Sequence, residues 1–425
     1  MIKMKLHWQI LIALALAVVA GSLTGTEAGI GDFKFYDAYN FIGTLFLNAL
    51  KMIIVPLIVS AIITGMLSIG SSGALGRLGS KTLLYYVATS FFAIMIGLIA
   101  VNIIQPGIID GEPAKDIIGL QANTDGFMEK VEGKDASDIA EIFLRMVPPN
   151  IVSAAANGQM LGLIFFCLLF GYFTATLKGR GGESLRDFWQ GVFDVMMKIT
   201  DLIMKFAPLG VFGLVAKVIS STGLAAFAPL AMFFVTVLLA LATHFIVTMS
   251  LMLRFVGGVR NPLLMYKAMA PALLTAFSTS SSSATLPVTL DCVEKNAGVS
   301  NRTSSFVLPL GATVNMDGTA LYECVAAMFI AQAYGIELSF GVQFTIVLTA
   351  LLTSIGVAGI PSASLVAISI ILAAIGLPAE GIGLILAVDR VLDMCRTSVN
   401  VFSDACGAAI LARLEGEKDV LTRPT

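Results

Sequence analysis

The chain has 425 residues, of which 57% are hydrophobic and only 13% are charged, and its formal net charge is −2. Soluble domains contain roughly 25% charged residues, so a mean hydropathy of +0.90 over the whole length indicates many membrane spans rather than one anchor. The near-neutral charge gives no sign of nucleic acid binding. Five scattered cysteines and two histidines form no recognisable pattern, which argues against a zinc site or a disulfide scaffold.

Apolar segments follow one another along the chain and predict an all-α membrane protein with eight transmembrane helices. Two further apolar segments, at about 259–292 and 341–376, are interrupted near their middles by serine-rich or glycine-rich stretches. Basic residues beside the spans fall on one side, which is cytoplasmic by the positive-inside rule if each interrupted segment enters and leaves on the same face. The predicted spans are 8–25, 39–70, 82–104, 151–177, 188–219, 224–254, 303–333 and 381–412.

The two interrupted segments are therefore predicted to be re-entrant hairpins, and both termini are predicted to be cytoplasmic. Non-helical backbone is stable at membrane depth only where it is buried in protein or lines a cavity. A matched pair of interrupted segments is typical of the binding site of a transporter. The alternative is that both segments are ordinary kinked spans.

The last predicted span carries a stripe of polar side chains. On a helix, Asp389, Asp393, Arg396, Asn400 and Asp404 fall within about 80° of one another. A charged side chain at the bilayer centre costs at least about 2.5–3.5 kcal/mol, so the stripe has to face protein, trapped water, ions or a polar ligand. We expect an intramembrane site for charged solutes. The alternative is a purely structural stripe whose ion pairs join the helices.

Two further clusters are predicted to supply cation ligands. The segment 311–319 places an asparagine, an aspartate and glycines inside an apolar span, so we expect the helix to unwind and free backbone carbonyls for a small hard cation. Tyr86, Thr89 and Ser90 share one face of an earlier span and offer three hydroxyl oxygens to the same site. Alone, that triplet is more typical of a helix-packing contact.

Charge balance narrows the choice of ligand. The last predicted span carries one net negative charge, and Asp317 and Glu323 raise this to three if all groups are ionised. Buried negative charge has to be neutralised by cations, protons or a substrate ammonium, while Arg396 offers a planar fork suited to a carboxylate. Acidic amino acids fit these groups, because they carry both an ammonium and carboxylates. His7 and His244 are expected to be packing or interface residues, and no nucleophile–histidine arrangement suggests an enzyme.

These residues resemble the dicarboxylate/amino acid:cation symporter family, which includes archaeal sodium–aspartate transporters and mammalian excitatory amino acid transporters. The resemblance covers nearly the whole chain and rests on the motifs SSSSATLP at 280–287, NMDGT at 315–319 and DMCRTSVN at 393–400, followed by Asp404. It implies a homotrimer with inverted repeats, in which mobile transport domains slide against a static scaffold like elevators. The implied scaffold is 1–70 and 151–219, the transport domain is 71–105 and 220–425, and 106–150 is an extracellular loop.

Matching the motifs position by position implies the residues that bind substrate. Arg396 is expected to bind the side-chain carboxylate of an acidic amino acid, Asp393 its ammonium, and Asn400 with Ser282 its α-carboxylate. The full implied set is Ser280, Ser282, Thr319, Ile360, Ser364, Asp393, Arg396, Thr397 and Asn400.

The same matching implies three sodium sites. The first uses backbone carbonyls together with the Asp404 carboxylate, and the second uses backbone oxygens only. The first site comprises Gly311, Asn315, Asn400 and Asp404; the second comprises Thr313, Ser354, Ile355 and Val357; the third comprises Tyr86, Thr89, Ser90, Asn315 and Asp317.

The chain departs from both known placements of a second arginine in this family. Archaeal members carry it in the first hairpin, where this chain has Ser280, and mammalian members carry it on the last span, where this chain has Met394. Arg390, one helical turn before Met394, is hypothesised to substitute electrostatically. Glu323 matches the proton-carrying glutamate of the mammalian members, so we expect it either to bind a proton or to pair with Arg390.

We therefore expect a secondary active transporter, not an enzyme, that takes up L-aspartate and/or L-glutamate with sodium across a bacterial-type inner membrane. Sodium ions are the expected coupling ions, and no other cofactor is expected. A proton-driven transporter and a C4-dicarboxylate carrier are alternatives within the family. The second is disfavoured because a substrate without an amine would leave Asp393 unpaired. An ion channel is the alternative from another class.

Overall fold

The computed structural model is almost entirely helical and describes residues 6–71, 77–115, 117, 144, 146–157, 160–223, 227–336, 338–354, 363–377 and 381–422. The strands within these ranges form two short antiparallel pairs, β1 (Gly29–Ile30) with β2 (Phe33–Lys34) and β3 (Ile108–Ile109) with β4 (Glu112–Pro113). The first helices are α1 (Leu6–Thr24), α2 (Phe35–Ser71), α3 (Arg77–Ile104), α4 (Ile151–Ala156), α5 (Met160–Thr176), α6 (Arg180–Lys205) and α7 (Ala207–Thr222). The remaining helices are α8 (Phe227–Val256), α9 (Leu263–Thr279), α10 (Ser282–Asp291), α11 (Asn301–Val314), α12 (Asp317–Ala333), α13 (Phe340–Ser354), α14 (Ala363–Ile375) and α15 (Ile382–Leu414).

Two of the described helices are long and apolar enough to cross a bilayer. They are Leu78–Ile104 within α3, with 27 residues and a mean hydropathy of 2.3, and α8, with 30 residues and a mean hydropathy of 2.4. The number rises to three if α6 and α7 together form one bent span. The prediction of eight spans therefore stays a prediction.

The predicted span 188–219 differs from the structure. It is divided between α6 and α7, which meet at an angle of 52°. The bend lies at Phe206, directly before the Ala207–Pro208 start of α7. Proline lacks an N–H and its ring clashes with the preceding turn, so Pro208 favours a kink or a new helix start at this point.

The predicted interruption in the segment 259–292 is confirmed, because Ser280 and Ser281 separate α9 from α10. Ser280 adopts the left-handed conformation (φ 51°), and its N–H donates to the carbonyl of Ala276, which ends α9. The Ser281 hydroxyl accepts a hydrogen bond from the N–H of Ala284 at 3.2 Å and caps α10. Adjacent C-capping and N-capping serines therefore make this break.

The predicted unwinding in the span 303–333 is also confirmed, because Asn315 and Met316 separate α11 from α12. The predicted interruption between α13 and α14 falls mainly on residues 355–362, which lie outside the described residues.

Helix α12 lies in the interior and contacts α3, α13, α14 and α15. Every residue of α12 except Gln332 is buried. Helix α15 also packs against α9 and α11, so its polar stripe faces protein as predicted. Because α12 is covered on all sides, its polar side chains can be satisfied only by other protein groups or by a ligand.

The segment after α15 folds back onto the start of α11. The Glu417 carboxylate accepts hydrogen bonds from the Ser300 N–H (2.8 Å), the Ser300 hydroxyl (2.6 Å) and the Thr303 hydroxyl (2.7 Å). Partial burial acts to raise the pKa of Glu417, but these hydrogen bonds outweigh it and hold the pKa below its ordinary value. A negative charge at a helix N-terminus is also favourable.

Replacing Glu417 with glutamine is expected to lower the free energy of unfolding by about 1 kcal/mol at neutral pH, allowing for solvent screening of a partly exposed group. A lowered folded-state pKa stabilises the protein above the unfolded value of about 4.3, and this stabilisation is lost as pH falls through the folded value. Thermal unfolding in detergent should therefore separate wild type from Glu417→Gln near pH 7, and the two should converge in acid. Glu183→Gln, at an exposed position on α6, is the control. A difference that does not depend on pH would contradict this role.

Candidate substrate and cation site

Arg396 is the central charged residue of α15, and its side chain is fixed by three groups. Its Nη2 atom donates to Asp389 Oδ1 at 3.1 Å and to Asp393 Oδ1 at 2.9 Å. Its guanidinium carbon lies 3.8 Å from the ring centroid of Tyr322, whose hydroxyl also donates to Asp389. The guanidinium is only 1% exposed, so its charge is compensated by protein groups rather than by bulk water.

Several predicted substrate-binding residues keep buried polar atoms that have no hydrogen-bond partner among the described residues. These atoms are Nε and Nη1 of Arg396, the hydroxyl of Ser280 and the hydroxyl of Ser364. Buried polar groups in folded proteins are nearly always hydrogen-bonded, and leaving one unsatisfied costs about 1–3 kcal/mol. Ion pairs do join the charged residues of α15, but they leave these buried polar atoms without partners among the described residues, so a purely structural stripe does not explain the arrangement.

Arg390 and Glu323 do not pair with each other, so the predicted alternative role of Glu323 as the partner of Arg390 is wrong. Arg390 Nη1 instead donates to Asp393 Oδ2 at 3.3 Å, because the two residues lie one turn apart on α15. Glu323 Oε2 accepts a hydrogen bond from the Thr353 hydroxyl at 2.9 Å, and its Oε1 atom has no partner within the described ranges.

Asn400 connects α15 to the first turn of α12. Its Oδ1 atom accepts the N–H of Gly318 at 2.8 Å, and its Nδ2 atom donates to the Thr319 hydroxyl at 3.1 Å. A Cβ atom at Gly318 would lie 2.8 Å from the Arg396 carbonyl oxygen, so glycine permits this close approach. The Thr397 hydroxyl donates to the Asp393 carbonyl at 2.8 Å. These contacts bring five predicted site residues to one level of α15 or directly against it: Thr319, Asp393, Arg396, Thr397 and Asn400.

Asp317 is fully buried and lies at the centre of the predicted cation cluster. The Ser90 hydroxyl donates to its Oδ1 atom at 2.7 Å. The Ser403 hydroxyl donates to its Oδ2 atom, and Nε2 of His244 lies 3.1 Å from the same oxygen. Three polar groups from three helices therefore hold one carboxylate in place.

Asn315 links this carboxylate to a second one. Its Oδ1 atom accepts a hydrogen bond from Thr89 at 3.2 Å, and its Nδ2 atom donates to Asp404 Oδ1 at 2.9 Å. A Cβ atom at Gly311 would overlap the Asp404 carboxylate and lie 3.0 Å from the Tyr86 hydroxyl. The polar triplet on α3 therefore lies against the two predicted cation-binding carboxylates. The residues that meet in this cluster are Tyr86, Thr89, Ser90, Gly311, Asn315, Asp317 and Asp404.

No three His, Cys, Asp or Glu side chains among the described residues are arranged to hold a metal ion. A cation in this cluster would therefore depend on hydroxyl, amide and backbone oxygens together with Asp317 or Asp404. Such an all-oxygen donor set suits a small hard cation.

Two residues of the cluster were missed or misread in the sequence. His244 is packed in the interior as expected, but its contact with Asp317 was missed; a π-helical turn that begins at His244 in α8 places its ring there. No local pattern around His244 indicates this contact. Ser403 was detectable in principle, since it falls beside the polar stripe on a helical wheel of α15.

The second predicted sodium site, which depends on backbone oxygens, stays a prediction, and the side chains of its two described residues bond within their own helices. The Thr313 hydroxyl donates to the Leu310 carbonyl at 2.9 Å, and the Ser354 hydroxyl donates to the Leu351 carbonyl at 2.8 Å, each within its own helix. Ser282 is buried in the first turn of α10. The predicted residues Ile355, Val357 and Ile360 lie outside the described residues.

Comparison with known proteins identifies the protein family of this chain. The family model described as the sodium:dicarboxylate symporter family matches residues 6–414. The chain belongs to this family. The resemblance drawn from the three motifs is thereby confirmed, and at the family level the protein is a transporter rather than an enzyme.

Relatives in bacteria and animals cover nearly the whole symporter chain. It is 34% identical over 421 residues to the proton/glutamate-aspartate symporter of Escherichia coli (strain K12), covering 98% of this chain and 94% of the relative. It is 35% identical over 415 residues to the proton/sodium-glutamate symport protein of Bacillus caldotenax, covering 98% and 96%. It is 38% identical over 457 residues to excitatory amino acid transporter 3 of Homo sapiens, covering 97% and 86%.

Proposed function

We propose that this protein is a secondary active symporter that takes up L-aspartate and/or L-glutamate together with sodium ions. The observation that carries the proposal is the buried Arg396 guanidinium, whose Nε and Nη1 atoms have no partner within the described ranges. The side-chain carboxylate of an acidic amino acid supplies the acceptors that these atoms lack. The names of the relatives point the same way, since they include glutamate and aspartate symporters.

The other substrate groups are assigned to neighbouring residues. Asp393 binds the ammonium of the substrate, and Asn400 with Ser282 binds its α-carboxylate. The buried hydroxyls of Ser280 and Ser364, which lack partners among the described residues, lie on α9–α10 and α14 and support a role for both hairpin segments in closing the pocket.

Sodium binding and substrate binding are coupled through shared backbone. Asn315 joins Thr89 to Asp404, and it lies beside the start of α12, where Asn400 holds Gly318 and Thr319. A cation at Asp317 or Asp404 would order the link between α11 and α12, and the same link positions the substrate groups. A ligand shifts a conformation only by its differential affinity, so this shared element allows one ligand to favour the other.

We further propose the family architecture for this chain. Eight transmembrane helices and two re-entrant hairpins form a homotrimer in the inner membrane, with both termini cytoplasmic. The transport domain, 71–105 and 220–425, moves like an elevator against the scaffold, 1–70 and 151–219. In support, α12 and α15, which carry the site, both lie within the proposed transport domain.

Uptake of radiolabelled aspartate and glutamate into proteoliposomes tests the proposal. Sodium, potassium and proton gradients are imposed one at a time. An inward sodium gradient is expected to drive concentrative accumulation that collapses when the gradient is dissipated. A channel would only equilibrate its permeant ion, and absence of uptake of either amino acid under every cation gradient would overturn the proposal.

A second candidate is proton coupling, and Glu323 is the observation that favours it. The side chain is fully buried, and its Oε1 atom has no partner among the described residues. An unpaired charge is costly there, whereas a protonated carboxyl is neutral. The relative in Escherichia coli is named as a proton symporter.

Glu323→Gln is expected to abolish stimulation of uptake by an inward proton gradient, because the amide keeps the shape of the carboxyl but cannot exchange a proton. Wild type should be stimulated under the same gradient. Uptake with and without the pH gradient, at a constant sodium gradient, measures the difference. Glu183→Gln on the exposed face of α6 is the control. An equal response of Glu323→Gln and wild type would remove the proton-carrier role.

A further inference from the structure

Asp393, the proposed receptor for the ammonium of the substrate, lies between two guanidinium groups of its own helix. Its Oδ1 atom accepts a hydrogen bond from Arg396 at 2.9 Å, and its Oδ2 atom accepts one from Arg390 at 3.3 Å. Each oxygen on which an ammonium would dock therefore already accepts a hydrogen bond from a cation of the chain itself.

The two arginines hold Asp393 in different ways. Arg396 is almost completely buried, stacks on Tyr322 and also pairs with Asp389, so it is tied by several groups at once. Arg390 has a side chain that is 13% exposed and makes a single, longer contact to Asp393. Its buried Nε atom has no partner among the described residues. Arg390 is therefore the cation that a ligand displaces more easily.

We propose that Arg390 is a resident cation that occupies the ammonium position on Asp393 in the substrate-free state and is displaced by the amine of the substrate. This inference rests on the proposed function. It also changes the role first hypothesised for Arg390, because its guanidinium contacts the ammonium receptor directly rather than substituting electrostatically for the second arginine of the family.

The proposal makes Arg390 a determinant of specificity. An acidic ligand with an amine has to replace the Arg390 guanidinium on Asp393 with its own ammonium, which reduces the net free energy of binding. An acidic ligand without an amine leaves Arg390 in place, so Asp393 keeps its ion pair with Arg390. An amine-free acidic substrate therefore does not leave Asp393 unpaired, and the site should discriminate less between the two ligand classes than a free aspartate would.

The effect of a competing resident cation on the apparent dissociation constant can be calculated. The apparent dissociation constant of a ligand rises by the inverse of the fraction of molecules in which its site is free. If Arg390 holds Asp393 about 90% of the time, binding of an amine-bearing substrate is weakened about tenfold.

The test compares L-aspartate with succinate, which is the same molecule without its amine. Inhibition constants are measured by competition with radiolabelled aspartate on purified wild type, Arg390→Lys and Arg390→Met. In Arg390→Met, aspartate is expected to bind about tenfold more tightly and succinate more weakly, so their ratio rises at least about tenfold. Arg390→Lys keeps the cation and should retain a ratio near that of wild type.

Each other outcome overturns the proposal. An unchanged ratio in Arg390→Met excludes competition, and a parallel loss of affinity for both ligands indicates a merely structural role. Should Arg390→Met fail to fold, Arg390→Gln, which keeps a polar contact to Asp393 without the charge, takes the same measurement. If wild type binds neither aspartate nor glutamate, the proposed function itself fails. If wild type binds them and only the ratio is insensitive to Arg390, the proposed function stands and the resident-cation proposal falls.

Discussion

Replacing Arg396 with lysine is expected to weaken the binding of aspartate and glutamate about 10- to 150-fold. Lysine keeps the positive charge, so Asp389 and Asp393 are not left without a cation in the protein interior. It lacks the planar fork, however, so it cannot bind Asp389 and Asp393 through one nitrogen while offering two parallel N–H donors to a substrate carboxylate. A charge-assisted hydrogen bond contributes about 1.5–3 kcal/mol, and about 1.4 kcal/mol corresponds to a tenfold change in affinity.

The measurement is the dissociation constant from the shift in thermal midpoint with ligand concentration, in the presence of saturating sodium. Arg180→Lys, at the exposed start of α6, is the matched control and should bind like wild type. The ligand-free midpoint reports separately on folding, because lysine also loses the stacking contact on Tyr322. A dissociation constant within about twofold of wild type would show that the fork of Arg396 does not bind the substrate, since even one neutral hydrogen bond is worth about 0.5–1.5 kcal/mol.

Asp317→Asn is expected to raise the sodium concentration needed for half-maximal stabilisation at least about tenfold. A unit charge about 4 Å from a cation contributes about 4 kcal/mol at an effective dielectric constant of 20, and a third of that already gives a tenfold change. The asparagine also has one acceptor oxygen where three polar groups now converge on a carboxylate, so at least one of them loses its partner.

The lost hydrogen bond lowers the stability of Asp317→Asn even if no cation binds there, so the midpoint of unfolding by itself does not test cation binding. The dependence of the midpoint on sodium concentration, with choline keeping ionic strength constant, isolates the cation effect. Asp291→Asn removes a carboxylate from an exposed position on α10 and is the control. If Asp317→Asn keeps the sodium dependence of wild type, the cluster around Asp317 does not bind the coupling ion.

Much of the candidate site followed from local sequence, and the reasons are physical. The break at Ser280 and Ser281 was predictable because serines in succession cap helices rather than continue them. The unwinding at Asn315 and Met316 was predictable because the motif places poor helix formers inside an apolar span. The stripe on α15 was predictable because helical periodicity alone decides which side chains share a face.

The choice of partners was not predictable in the same way. Glu323 and Arg390 were matched by charge, but Arg390 has a carboxylate one turn away on its own helix, and that nearer partner is the one it contacts. His244 lies in a uniformly apolar stretch, so only the packing of α8 against the rest of the fold reveals its contact with Asp317. The division of the span 188–219 into α6 and α7 was visible in Pro208, but its angle was not.

The amino-acid sequence by itself determined the helical, membrane-type composition, two of the helix breaks and the face of α15 that carries charge, because each depends on residues close together in the chain. Only the tertiary structure decided which buried groups meet: Ser90, His244 and Ser403 at Asp317, and Asp393 rather than Glu323 at Arg390. The reason is that a buried charge accepts whichever partner the packing of distant helices brings within hydrogen-bond distance, and that distance is not encoded in any local pattern.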